Sequence, residues 1–190
     1  MILELEKMID YDLYTKAFKD VARINKQDKT TAELRLCKVY EEMGELTQAV
    51  NKTLGRKVAK ETKEEILDNI LEELADTFQC LYSWWDTSVN KASEDLERTL
   101  DLTTVPVKHS KSAQEVVIDC YKAIADTEAS SYGVTYSSMA KVFIELLKLA
   151  QCFKFEFDDI NKMVLIKNKK WEAVVDARKE EGKPALWPFS

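Results

Sequence analysis

Three observations predict an all-α fold, a helical bundle. Apolar residues recur at three- and four-residue spacing along nearly the whole 190-residue chain. Only four glycines and three prolines interrupt it, too few for a fold of many strands and turns. Helix-start signatures, a hydroxyl residue followed three positions later by glutamate, stand at Thr62–Glu65 and Ser112–Glu115. With 45% hydrophobic residues, a chain of this length buries a substantial core.

The elements follow in order. A first helix is expected from about Tyr11 to Ile24, ended by the polar stretch Asn25-Lys26-Gln27-Asp28. A second opens at Thr30 or Thr31 and runs to about Asn51, and a third runs from the Thr62 cap to about Trp85. Ser93 caps a short fourth helix to about Leu100. DLTTVPVKHS then breaks the pattern with proline and β-branched residues. A fifth helix runs from the Ser112 cap to about Glu128, and SSYGVTYSS stops it. A sixth covers about Met139 to Phe153, and Asp158 caps a seventh to about Lys179. The tail GKPALWPFS reads as an apolar strap, and Trp84 and Trp85, adjacent on one helix, as packing residues.

Residues 105–111 divide the chain into an N-terminal half, 1–104, and a C-terminal half, 112–190, packed as one unit. ADTFQCLYSWW followed by SEDLERTL aligns with AKVFIELLKLA followed by FDDINKMVL at an offset of about 65 residues. The expectation is a tandem of two related halves. In the second copy Lys141 stands at the place of Asp76 and Ser138 at that of Glu73. That half is therefore expected to be degenerate and to bind no metal.

Charge narrows the partners. A net charge of −6 with acids and bases interspersed offers no basic face for nucleic acid or an anionic membrane. The acidic stretch MILELEKMIDYD is unlike a signal peptide, and no apolar run reaches a membrane span. The expected setting is cytoplasmic, with Cys37, Cys80, Cys120 and Cys152 as reduced, packed thiols.

The chemistry concentrates in KVYEEMGELTQAV and EELADTFQCL. Residues three apart share a helix face, so Glu42 with Glu45, and Glu73 with Asp76, form two carboxylate pincers. Antiparallel helices can aim both at one cation. Oxygen donors select magnesium, manganese or calcium. A di-iron site needs histidine ligands, and the one histidine, His109, lies in the linker segment. Spacing alone leaves a solvated acidic face as the other reading. Gly44, costly inside a helix by up to about 1 kcal/mol, is assigned to a close approach of backbone, metal or phosphate.

These two segments resemble the signature of the all-alpha nucleoside triphosphate pyrophosphohydrolases, which include the MazG-like proteins, the dimeric dUTPases and the dCTPase-like enzymes. Glu42-x-x-Glu45 resembles the first half of that signature and Glu73-x-x-Asp76 the second. AKVFIELLKLAQCFKFEFDDINKMVLIKNKKW resembles the family's later region. The resemblance implies hydrolysis of a nucleoside triphosphate to monophosphate and pyrophosphate with Mg2+ or Mn2+, as in nucleotide-pool house-cleaning. It implies Glu42, Glu45, Glu73 and Asp76 as ligands; Glu41, closest to that signature, is taken as the base that orients or deprotonates water, with Glu72 as alternative. Lys38, Lys167, Asn168 and Lys170 are assigned to the phosphates, within a homodimer. The different-class alternative is an inactive nucleotide-binding or regulatory bundle, and a third is a structural module without metal dependence.

Overall fold

The computed structural model describes residues 10–54, 61–89, 110–130 and 133–182. Among them lie six α-helices and no strand: α1 (Tyr11–Asp28), α2 (Ala32–Lys52), α3 (Lys63–Ser88), α4 (Ala113–Glu128), α5 (Tyr136–Cys152) and α6 (Phe157–Glu180). The short helix expected at Ser93–Leu100, most of the 105–111 linker and all of the apolar tail beyond Gly182 fall outside the described residues. No helix among the described residues is long and apolar enough to cross a membrane.

The helix starts are chemical. At the head of α3 the Thr62 amide donates to Glu65 Oε2 at 2.7 Å, and the Glu65 amide donates to Thr62 Oγ1 at 3.2 Å. Ser112 and Glu115 repeat this at α4. Each pair satisfies two amides that the first turn leaves without carbonyl partners. Two starts differ from expectation. α5 opens at Tyr136 rather than Met139, because Ser138 takes glutamate's part: the Thr135 amide donates to Ser138 Oγ at 3.0 Å. α6 has Glu156 at its N-cap, not Asp158. The Asp158 carboxylate is used elsewhere and accepts the Asp10 amide at 3.1 Å.

α1 continues four residues past Ile24 to Asp28, where Lys29 leaves the helix at φ 53. The stretch expected to break the helix is tied into the interior. Asn25 is 5% exposed, donates to Ser83 O at 3.2 Å and to Asp86 Oδ2 at 2.9 Å, and accepts from Ser83 Oγ at 2.7 Å. Asp28 accepts from Arg35 Nη2 at 2.7 Å. Satisfied in this way, the Asn25 amide is buried at little cost.

α2 and α3 form an antiparallel hairpin, with Lys52 paired to Glu61 at 2.7 Å near its closed end and Glu42 meeting Asp76 farther along. α4 packs on α5 in the same manner, and α6 lies across α1 and α3. α1 and α6 run parallel, since their contacts advance together: Asp10 to Asp158, Arg23 to Glu172, Gln27 to Lys179. One hydrophobic core draws on all six helices. Its centre is aromatic, with Phe143 stacked on Tyr82 at 5.6 Å and meeting Phe78 and Trp85 edge-on. Trp84 and Trp85 are both buried, so neither is free to stack a base. At Gly44 a Cβ would meet nothing within 4 Å, so no neighbouring backbone makes the close approach there.

Candidate metal centre

The apolar stripes of the α2–α3 hairpin position the carboxylates. Val39, Met43 and Leu46 are fully buried on α2, as are Ile70, Leu74 and Phe78 on α3. Glu42, three residues from Val39, is thereby drawn under the surface to 7% exposure. Glu73 and Asp76 stand beside Leu74 and Ala75, half-buried and facing it. One carboxylate oxygen from each of Glu42, Glu73 and Asp76 lies within 4.8 Å of the others.

The electrostatics are those of crowded acids. Burial raises the Glu42 carboxyl above its ordinary range; Lys38 opposes this, and Asp76 and Glu45 add to it. Burial likewise raises Glu73, followed by the charges of Glu45, Asp76 and Glu42, with Lys167 opposing. Glu73 Oε2 is buried and has no hydrogen-bond partner. A buried acceptor without a donor is costly, and a cation supplies the missing positive charge.

Two lysines stand at the edges. Lys38 Nζ lies 2.7 Å from Glu42 Oε1 and 2.8 Å from Glu41 Oε1. Lys167, reaching over from α6, lies 2.6 Å from Asp76 Oδ2 and 3.5 Å from Glu72 Oε2. Burial works against both ammonium charges, but the carboxylate partners prevail and hold both lysines above their usual value.

The other residues singled out from sequence fall in different places. Glu45, exposed one turn from Glu42, reaches Glu73 by its charge while standing outside the 4.8 Å group. Glu41 is exposed and tethered by Lys38. Asn168 is not brought to the carboxylates. It is 2% exposed, accepts from Gln79 Nε2 at 2.7 Å and donates to Ala17 O at 3.2 Å, tying α6 to α3 and α1. Lys170 is exposed, with no ion pair among the described residues.

Sequence reasoning missed Cys80. The thiol lies one turn beyond Asp76 and is pushed up by burial first, then by the charge of Glu42, so it belongs to the apolar floor of the site. The spacing Asp76-x-x-x-Cys80 carries the signal, because residues four apart share a face. The second half differs in kind. Ser138 is occupied as a cap, Asp119 is paired with Lys111, and Glu145 with Lys148 at 2.6 Å. Compared with known protein families, curated proteins and solved structures, the chain matches none.

Proposed function

We propose that the chain is a magnesium-dependent nucleoside triphosphate pyrophosphohydrolase, cleaving a ribo- or deoxyribonucleoside triphosphate to the monophosphate and pyrophosphate. One observation carries it: carboxylate oxygens of Glu42, Glu73 and Asp76 lie within 4.8 Å of one another, and Glu73 Oε2 is buried without a donor. The donor set is all oxygen, which suits Mg2+ or Mn2+ and disfavours softer metals. Glu42, Glu73 and Asp76 would hold the ion, with Glu45 completing the set. When bound, the metal neutralises phosphate charge and lowers the pKa of a water.

The chain's own residues do the rest. Lys38 and Lys167 hold ammonium groups at the cluster's edge, where they can pass from carboxylate to phosphate oxygens. Lys170 stands one turn farther along α6 and extends that basic rim outward. Glu41, fixed beside Glu42 through Lys38, is assigned to orient and deprotonate the attacking water. The apolar floor of Leu74, Phe78 and Cys80 keeps bulk water from the inner side.

The tandem arrangement belongs to the same proposal. In that alignment Asp76 corresponds to Lys141 and Cys80 to Glu145, while Phe78 corresponds to Phe143, and these two rings touch at 5.6 Å. The second copy would then be the one whose carboxylates are already neutralised by lysines, leaving one metal centre per chain. Assembly as a homodimer completes the proposal, and sedimentation measures it directly.

A second reading, a bundle whose carboxylates serve only as ion-pair partners, draws on Lys38 and Lys167 already engaging Glu42 and Asp76. One experiment separates the two. The protein is incubated with each nucleoside triphosphate and Mg2+, and monophosphate, diphosphate, pyrophosphate and orthophosphate are resolved. Pyrophosphate release that vanishes in Glu73→Gln supports the proposal. Orthophosphate release, or no hydrolysis of any nucleotide, overturns it.

A further inference from the structure

Each lysine at the rim of the metal centre is held between two carboxylates of different kinds. Lys38 Nζ lies 2.7 Å from Glu42 Oε1 and 2.8 Å from Glu41 Oε1. Lys167 Nζ lies 2.6 Å from Asp76 Oδ2 and 3.5 Å from Glu72 Oε2. In each case one carboxylate belongs to the cluster and is sheltered, the side chains of Glu42 and Asp76 being 9% and 22% exposed. The other stands outside it in solvent, Glu41 at 57% and Glu72 at 54%. The lysines come from different helices, α2 and α6, so the arrangement is made twice. Glu73, the third member of the cluster, keeps a buried oxygen without a donor.

An ammonium group and a divalent cation compete for the same carboxylate oxygen and repel each other. Here each lysine already touches an exposed carboxylate that can receive it, so yielding the inner oxygen costs it no charge partner. We infer that Lys38 and Lys167 are exchangeable counter-cations of the metal centre. On metal loading, Lys38 passes from Glu42 to Glu41 and Lys167 from Asp76 to Glu72, and the triphosphate then draws both onto its own oxygens. The inference rests on the pyrophosphohydrolase reading and adds to it a coupling between metal and substrate. Metal alone enters weakly, because it displaces two charges. A substrate that takes up the lysines tightens the metal, and by reciprocity bound metal favours substrate. Glu41 follows the same course: paired with Lys38 in the metal-loaded chain, it is released to act on water when phosphate removes the lysine.

The test is calorimetry of the whole chain with Mn2+ in the absence of nucleotide, where a lysine that only contacts phosphate has no effect. Lys167→Met should bind Mn2+ at least about fivefold more tightly than the unaltered chain, the lower end of a usual coupling between sites. Lys38→Met, on the other helix, should do likewise, with circular dichroism checking that each variant is folded. Glu72→Gln should act in the opposite sense and weaken Mn2+, because Lys167 is then left with Asp76 alone. In the Lys167→Met background Glu72→Gln should change nothing further, which separates a resting place for the lysine from the general field of a nearby charge. Unchanged or weaker Mn2+ binding in both lysine variants overturns the exchange, as does a Glu72→Gln effect that is the same with and without Lys167. No Mn2+ binding by the unaltered chain at millimolar concentration overturns the metal centre itself, and the exchange with it.

Discussion

Lys167 and Asn168 are neighbours on α6 with opposite fates, one presented to the carboxylates and the other sealed between helices. The difference is a matter of helical phase, 100° per residue, and it separates their expected mutational effects. Asn168→Ala removes both partners of a buried tie and should cost about 1–3 kcal/mol, read as a lower urea midpoint with Mg2+ affinity unchanged. Asp76→Asn should leave the midpoint nearly as it is, because losing the Lys167 ion pair is offset by relief of the repulsion between Asp76 and the Glu42 and Glu73 carboxylates. It should lower kcat/KM for the preferred triphosphate by at least about 10²-fold, beyond the loss typical of a group one shell farther from a metal. If Asp76→Asn retains full pyrophosphate release, the centre is misassigned. At this scale the sequence was legible where spacing alone decides: Glu73 and Asp76, three apart on α3, come together at Glu42, while Glu45 stays outside that group. It was not legible for Asn168, whose burial depends on what α1 and α3 bring to it, nor for Lys38, whose two carboxylate partners are a choice among rotamers.

Among the elements, the ends of helices were read best where a hydroxyl and a glutamate sit three apart, as at Thr62 and Ser112. They were read worst where a polar run looked like a stop. Asn25-Lys26-Gln27-Asp28 has the composition of a loop, yet it forms the last turn of α1 because Ser83, Asp86 and Arg35, distant in sequence, satisfy Asn25 and Asp28. Local propensity is a weak prior that tertiary contacts override. The contact is testable. Asn25→Ala strands the Ser83 hydroxyl and carbonyl in the interior and should destabilise the fold by about 1–3 kcal/mol, measured by chemical denaturation. Hydrogen exchange should also become faster in the last turn of α1 than in α2. Unchanged protection there would mean that the turn holds by itself.

For the molecule as a whole, the fold class was legible from periodicity, whereas the pairing of α1 with α6 was not. Contacts between residues nearly the whole chain apart leave no mark on local spacing. The single aromatic core has a consequence in alkali. Burial keeps the phenols of Tyr14 and Tyr82 protonated well past their ordinary range. Burial, followed by its hydrogen bond to Glu128, holds Tyr40 up to about 12. Above pH 10 the unfolded chain therefore binds fewer protons than the folded one, and stability falls as pH rises. Absorbance at 295 nm should show at least three of the seven tyrosines ionising only near pH 12 or with unfolding; a single transition of all seven near pH 10 would contradict this burial. The parallel course of α1 and α6 also sets how the chain bears load. Asp10 enters at one end of the pair, and Gly182 leaves at the other, roughly 30 Å away at the helical rise. Tension applied through those two points pulls the helices past one another lengthwise. Arg23–Glu172, Asn168–Ala17 and Lys179–Gln27 are then strained together, not broken one at a time. In an optical trap this geometry should rupture at a higher force than the α2–α3 hairpin pulled open across its free ends, where the contacts part in sequence like a zip.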